Sequence, residues 1–249
     1  MRGRGQVLII AALAIALTIM STQVYVYRLY STGVASDFDL MTDYIIGLEL
    51  GARHVVKASL ISISQGGDVS KLSGNLDGWE VFVGGDYRFG RCEVDYVLQS
   101  QSPYSEGVWF DWGTDGVGIS SACVNVTYGI KGRGVEVDGS IEYNASSMVT
   151  STGSWSQGSG ASDKVVNGEI NVYNEAAPAM AGNITIQYFN LVSWEDASLR
   201  PDFSLTNYGN GTYLYAFTIT QSGSDVDIRI QVYDLKGVYV EAEETFYEA

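Results

Sequence analysis

The sequence predicts an α+β protein that is mostly β: a long amino-terminal helix, part membrane-embedded and part amphipathic, followed by one or two β-sandwich units. Three observations carry that expectation. From Val7 to Met20 every residue is apolar except Thr18. An amphipathic segment follows. The 249-residue chain as a whole is rich in Gly (29) and poor in Pro (3), and its later part sets short runs of Val, Thr, Tyr and Ser between glycine-rich turns, which is a strand composition. Such a length allows one large or two ordinary domains with a proper core.

The opening residues come first. Arg2, Arg4 and Arg28 are the only charged side chains among the first thirty residues. About 20 predominantly apolar residues span a bilayer, and Val7 to Tyr27 supply that length although Ser21, Thr22 and Gln23 dilute the pattern, with tyrosines where an interfacial belt lies. Arg2 and Arg4 precede this span and the acidic bulk follows it. The positive-inside tendency therefore predicts a single-pass cell-membrane protein with a cytoplasmic amino end and most of the chain outside. A cleaved secretory signal has a similar apolar run, but Ile19 and Met20 fit poorly at a small-residue cleavage site, so retention is expected.

Arg4-Gly5-Gln6, followed at once by the apolar run, resembles the class III signal of archaeal type IV pilin-like surface proteins. That resemblance implies a prepilin-type peptidase as partner, cleavage after Gly5 and a mature chain beginning at Gln6. It also implies self-assembly, or assembly with other pilin-like subunits, through the retained helix. Ile10 stands where many pilins carry a glutamate.

Ser31-Thr32-Gly33 reads as a break, and a second helix is expected to about residue 65. Ser36 and Asp39 form a capping-box-like pair, acidic residues come early, and Arg53 and Lys57 come late, complementing the helix dipole. Phe38, Met41, Ile45, Leu48, Ala52 and Val55 make one apolar stripe, while Ile46 and Leu50 interrupt the polar side. Helix packing under a β domain and contact with neighbouring subunits both account for this pattern.

Beyond it, Trp79 to Val83 and Cys92 to Leu98 read as strands. The Ser/Gly-rich TSTGSWSQGSGAS, ending at residue 162, reads as a long loop or linker. The expected organisation is therefore an anchor (1–30), an amphipathic helix (31–65), a β-rich domain (66–162) and a second β domain (163–249). In the last of these, TYLYAFTIT and DVDIRIQVYD alternate with period two, and Asp234 to Gly237 supply a turn before a further strand. NYGNGTYLYAFTI, running on to IRIQVYD, resembles filamin-type immunoglobulin-like repeats, which implies a corner at Asn210-Gly211-Thr212-Tyr213 anchored by the tyrosine. DWGTDGVGISSACVNVTY, VYNEAAPAM and YGNGTY likewise resemble archaeal surface proteins with a β-sandwich exterior, which implies a location rather than an activity.

The remaining motifs offer little chemistry. Beyond residue 30, 11 of the 14 basic side chains face all 29 acidic ones, a balance that excludes nucleic acid as a partner. Cys92 and Cys123 are the only cysteines; outside the cell they would close a disulfide, and otherwise they are buried free thiols. Sequons at Asn125, Asn144, Asn183 and Asn210 are glycosylation candidates. His54, the single histidine, has no nucleophile or metal spacing around it. Asp111 with Asp115 and Asp225 with Asp227 lack EF-hand spacing. We expect no catalytic site, metal or cofactor. Tyr104, Trp109 and Trp112 are either sandwich core or a sugar-stacking surface. The expected function is a membrane-anchored extracellular structural or adhesive protein; the alternatives are a lone surface-anchored glycan- or protein-binding module and a surface hydrolase.

Overall fold

The structure, a computed structural model, describes residues 20–24, 26, 41–86, 90–132 and 136–249. Gly5, Gln6 and most of the expected span from Val7 to Tyr27 lie outside the described residues; 20–24 and 26 are helical and exposed. Among the described residues no helix is long and apolar enough to cross a membrane.

Helix α1 is described over 41–64. Met41, Leu48, Ala52, Val56, Leu60 and Ile63 are buried along one face, the spacing of an amphipathic helix. Each fully buried leucine contributes roughly 1.5 to 3 kcal/mol. The helix ends where Gly66 adopts φ +93°. There the Gly67 N–H reaches the Ser62 carbonyl at 3.0 Å and the Gly66 N–H reaches that of Ile63 at 2.9 Å, a Schellman stop that only glycine takes without strain.

A second helix, α2 (Lys71–Asp86), occupies the place of the expected strand Trp79 to Val83. Leu72, Leu76, Trp79 and Val83 are its buried residues, a helical spacing that outweighs the local strand propensity of Val and Phe. The Asp68 carboxylate accepts the Ser70 N–H at 2.8 Å just before the helix, and those bonds hold its pKa below the ordinary value.

Two antiparallel sheets follow, and the protein is a mostly β sandwich. The larger takes the order β1 (Arg91–Leu98), β3 (Val117–Lys131), β4 (Glu136–Gln157), β5 (Asp163–Asn174), β10 (Thr212–Thr220) and β9 (Ser204–Asn207), with β2 (Val108–Trp112) on β3 and β6 (Ala177–Pro178) on β5. The smaller runs β12 (Tyr239–Phe246), β11 (Val226–Asp234), β7 (Ala181–Phe189) and β8 (Trp194–Asp196). TSTGSWSQGSGAS is not a linker. It is the end of β4 and the turn into β5, paired from Ser147↔Asn174 to Gln157↔Lys164, so the larger sheet continues across the division expected at residue 162.

One face of the larger sheet is covered twice over. Near Val124 to Ile130 the helices cover it: Tyr128 donates to Glu49 of α1 at 3.2 Å, and Tyr96 donates to Asp77 of α2. Near Gly118 and Ser120 the smaller sheet covers it, Ser120 donating to the Tyr239 carbonyl at 2.7 Å. Helices and both sheets share one apolar core.

Two glycines are packing devices. A Cβ on Gly168 would lie 2.3 Å from Cζ of Tyr215, and one on Gly139 would lie 2.3 Å from Cζ of Tyr128. In both cases the ring belongs to the glycine's direct cross-strand partner and fills the space that the missing side chain leaves. Gly168→Ala will cost about 1 to 3 kcal/mol in urea unfolding, because the Tyr215 ring must leave its rotamer. Tyr215→Phe will cost less than about 0.5 kcal/mol in the same measurement, because the buried hydroxyl it removes makes no hydrogen bond.

Candidate functional site

The aromatic trio read as sandwich core or as a sugar-stacking surface is divided. Trp109 and Trp112 are three positions apart on β2, an odd offset, and project to opposite faces of the sheet. Tyr104 and Trp109 meet edge to face with centroids 6.0 Å apart, and the Tyr104 hydroxyl lies 2.8 Å from that of Ser121. Trp112 instead packs against Phe110 and, at 5.2 Å, Tyr239, and donates its indole N–H to Ser120 at 3.1 Å.

Cys92 and Cys123 are buried free thiols, which corrects the disulfide expected for an exterior domain. Cys92 pairs with Ile130 across the β1–β3 ladder, whereas Cys123 lies seven residues further back on β3, roughly 23 Å away at about 3.3 Å per residue. The odd offset also puts the two side chains on opposite faces. A disulfide requires Cα atoms within about 7 Å. Burial raises the pKa of both thiols, which keeps them protonated and unreactive.

All four sequon asparagines are exposed. Asn125 and Asn144 lie on the face of the larger sheet that points away from the helices; Asn125 accepts from Ser140 at 2.8 Å and Asn144 from Ser121 at 3.1 Å. Asn183 lies on β7. Asn210 accepts the Thr212 N–H at 3.1 Å in the turn before β10. In that turn Gly211 has φ +89°, and the buried Tyr213 hydroxyl accepts the Ala181 N–H at 2.8 Å, tying the larger sheet to the start of the smaller.

The carboxylate pairs serve local structure. Asp115 accepts the Val117 N–H at 3.3 Å, and Asp227 accepts the Thr245 hydroxyl at 2.7 Å. Among the described residues no group of three or more His, Cys, Asp or Glu side chains is arranged to hold a metal ion. One carboxyl is unusual: Oε2 of Glu244 is buried without a hydrogen bond among the described residues, as are the Ser151 and Tyr215 hydroxyl oxygens. Desolvation is the main cause that raises the Glu244 pKa above its ordinary value of 4.5; the Asp115 charge adds to it and Ser151 opposes it.

Sequence reasoning missed two concave features. An apolar groove of about 500 Å³ runs between the helices, lined by Tyr44, Leu48, Gly51 and Val55 of α1 and Trp79, Phe82 and Val83 of α2, with Asp43, Gly47 and His54 also contributing. It depends on α2 and so could not be read while Trp79 to Val83 stood as a strand. The second is a cleft at Phe189 and Trp194 on the smaller sheet, which depends on the β7–β8 pairing.

The chain matches no protein-family model and no curated protein.

Two outcomes follow from this geometry. An alkylating reagent will leave the native protein unmodified and add two adducts per chain in denaturant without reductant, read by intact mass; a disulfide would block both. Glu244→Gln will raise the melting temperature at pH 7 and leave it nearly unchanged at pH 4. A carboxyl whose pKa is raised on folding contributes stability below its unfolded value, and that stability is lost as pH rises through the folded one.

Proposed function

We propose that the protein is a membrane-anchored, extracellular structural or adhesive subunit of the type IV pilin-like kind, with an acidic β-sandwich head on an amino-terminal helix. The observation that carries this reading is the predominantly apolar stretch from Val7 to Tyr27, which begins directly after Arg4-Gly5-Gln6. It is long enough to anchor the chain and to pack laterally against copies of itself.

The helix layer supports the same reading. Ile46 and Leu50 on α1 and Val81 and Phe82 on α2 are at least half exposed, and they accompany the apolar groove on the layer closest in sequence to the anchor. An outward apolar face of this kind marks an interaction surface. The immunoglobulin-like assignment of the carboxy-terminal third draws on the Tyr213 bond to Ala181 and on the alternation of β10 and β11. The binding-module alternative loses its first basis, since Tyr104, Trp109 and Trp112 share no common platform, and would have to rest on another site.

Peptide mass spectrometry of the protein from native membranes is expected to find Gln6 at the amino terminus. A terminus beyond Met20 would overturn the proposal. In cells that display the processed chain, Leu50→Glu and Phe82→Glu are expected to abolish sedimentable filaments without changing the circular dichroism. Filament yields equal to wild type would show that assembly does not use this helix face.

A further inference from the structure

The outer face of the smaller sheet carries the second concave feature. Tyr188, Ile228 and Phe246 point into the sandwich, so their neighbours Phe189, Asp227 and Thr245 point outward. Phe189 and Trp194 are cross-strand partners, with ring centroids 5.5 Å apart and planes inclined at 52°. With Thr114, Asp227, Glu243, Glu244 and Thr245 they line a cleft of about 340 Å³, at the small end of the range for ligand sites, about 300 to 1000 Å³.

The cleft is held rigidly. The Arg229 guanidinium stacks on the Trp194 ring at 4.2 Å while its Nε donates to Glu243 at 2.7 Å. One residue therefore fixes both an aromatic wall and an acidic one. Asp227 is oriented by the Thr245 hydroxyl at 2.7 Å, which uses one of the roughly four acceptor positions of a carboxylate.

Its chemistry narrows the occupant. A purely apolar ligand would strand Asp227 and Glu243 without water. A metal ion would find no set of three ligating side chains among the described residues, and Glu243 is already paired with the Arg229 cation. An anion would meet two carboxylates on a protein of net charge −15. A neutral sugar ring satisfies all three constraints, since its C–H face packs on aromatic carbon and its hydroxyls donate to carboxylates. We propose that the cleft between Phe189, Trp194, Asp227 and Glu243 binds a neutral pyranose unit of a polysaccharide. This goes beyond the anchoring and assembly reading and does not depend on it, because a chain that forms no filament can still retain sugar.

The test uses the full chain in phospholipid nanodiscs, which carry no sugar headgroup, over an array of immobilised neutral hexose and N-acetylhexosamine oligosaccharides, with sulfated and uronic-acid glycans as comparators. An Asn183→Gln background removes any glycan attached on the same sheet face. At least one neutral glycan is expected to be retained, with affinity about tenfold lower in Trp194→Ala and in Asp227→Asn and unchanged in Trp109→Ala. Asp227→Asn, which keeps the side-chain volume, decides the matter if Trp194→Ala does not fold. Retention of no neutral glycan, a preference for the anionic ones, or equal binding by wild type and Asp227→Asn would overturn the proposal.

Discussion

The long β3–β4 hairpin is the constraint on which the rest of the molecule depends. Its strands pair without interruption from Val117↔Thr150 to Lys131↔Glu136, longer than either of the layers that cover it. One end of its inner face takes the helices and the other takes the smaller sheet. The two covers also meet: Tyr239 donates its N–H to the Ser64 hydroxyl at 3.0 Å, and Gln65 donates to the Gly237 carbonyl at 2.8 Å. The helix layer is thus buttressed by the turn between β11 and β12 as well as by the sheet beneath it. A slip of one residue in the hairpin would turn Val124, Val126 and Ile130 outward and uncover both layers at once.

Glycine takes on a different meaning in this setting. In the sequence it marks turns, and at Gly66, Gly211 and Gly237, all with positive φ, it does so. Gly139, Gly153 and Gly168 instead lie within strands, where a glycine ordinarily weakens the ladder. Each faces an aromatic ring: Tyr128 over Gly139, Tyr215 over Gly168, and Phe246 from the opposite sheet at 2.2 Å from a Cβ on Gly153. The rings restore the apolar contact that glycine lacks and let the sheets approach closely where β12 crosses β4. Ser147, Ser151 and Glu244 share this interior, an arrangement that trades some stability for polarity in the core.

How much was legible follows from which interactions are local. The α1 stripe and the alternation of β10, β11 and the turn at Asp234 to Gly237 were readable because each is settled within about ten residues of chain. Helix α2 was misread because Val81, Phe82 and Val83 favour strands, although Leu72, Leu76 and Trp79 already carried the helical step. The end of β4 was misread because its Ser and Gly content resembles a linker; Trp155, buried and donating to the Ser224 carbonyl at 2.9 Å, was the residue out of place in such a reading. The separation of Cys92 from Cys123 and the meeting of Phe189 with Trp194 depend on register between strands, which no local pattern encodes.

The same registers decide which side of the molecule is free for what. Because Val124 and Val126 face the helices, Asn125 and, across the ladder, Asn144 face the other way, on the bare side of the larger sheet. Glycans there would add bulk to that side and leave the helix groove uncovered. The smaller sheet lies on the same side of the larger sheet as the helices and meets α1 at its Tyr239 end, so the Phe189 and Trp194 cleft, at the opposite end of the strands by Asp227 and Thr245, opens away from that contact. Two surfaces of contrasting chemistry are thereby kept apart: an apolar helical one that gains from excluding water and a cleft walled by aromatic rings and carboxylates. The acidic side chains spread over the remaining surface favour contact with water there, since burying one without a partner would cost several kcal/mol.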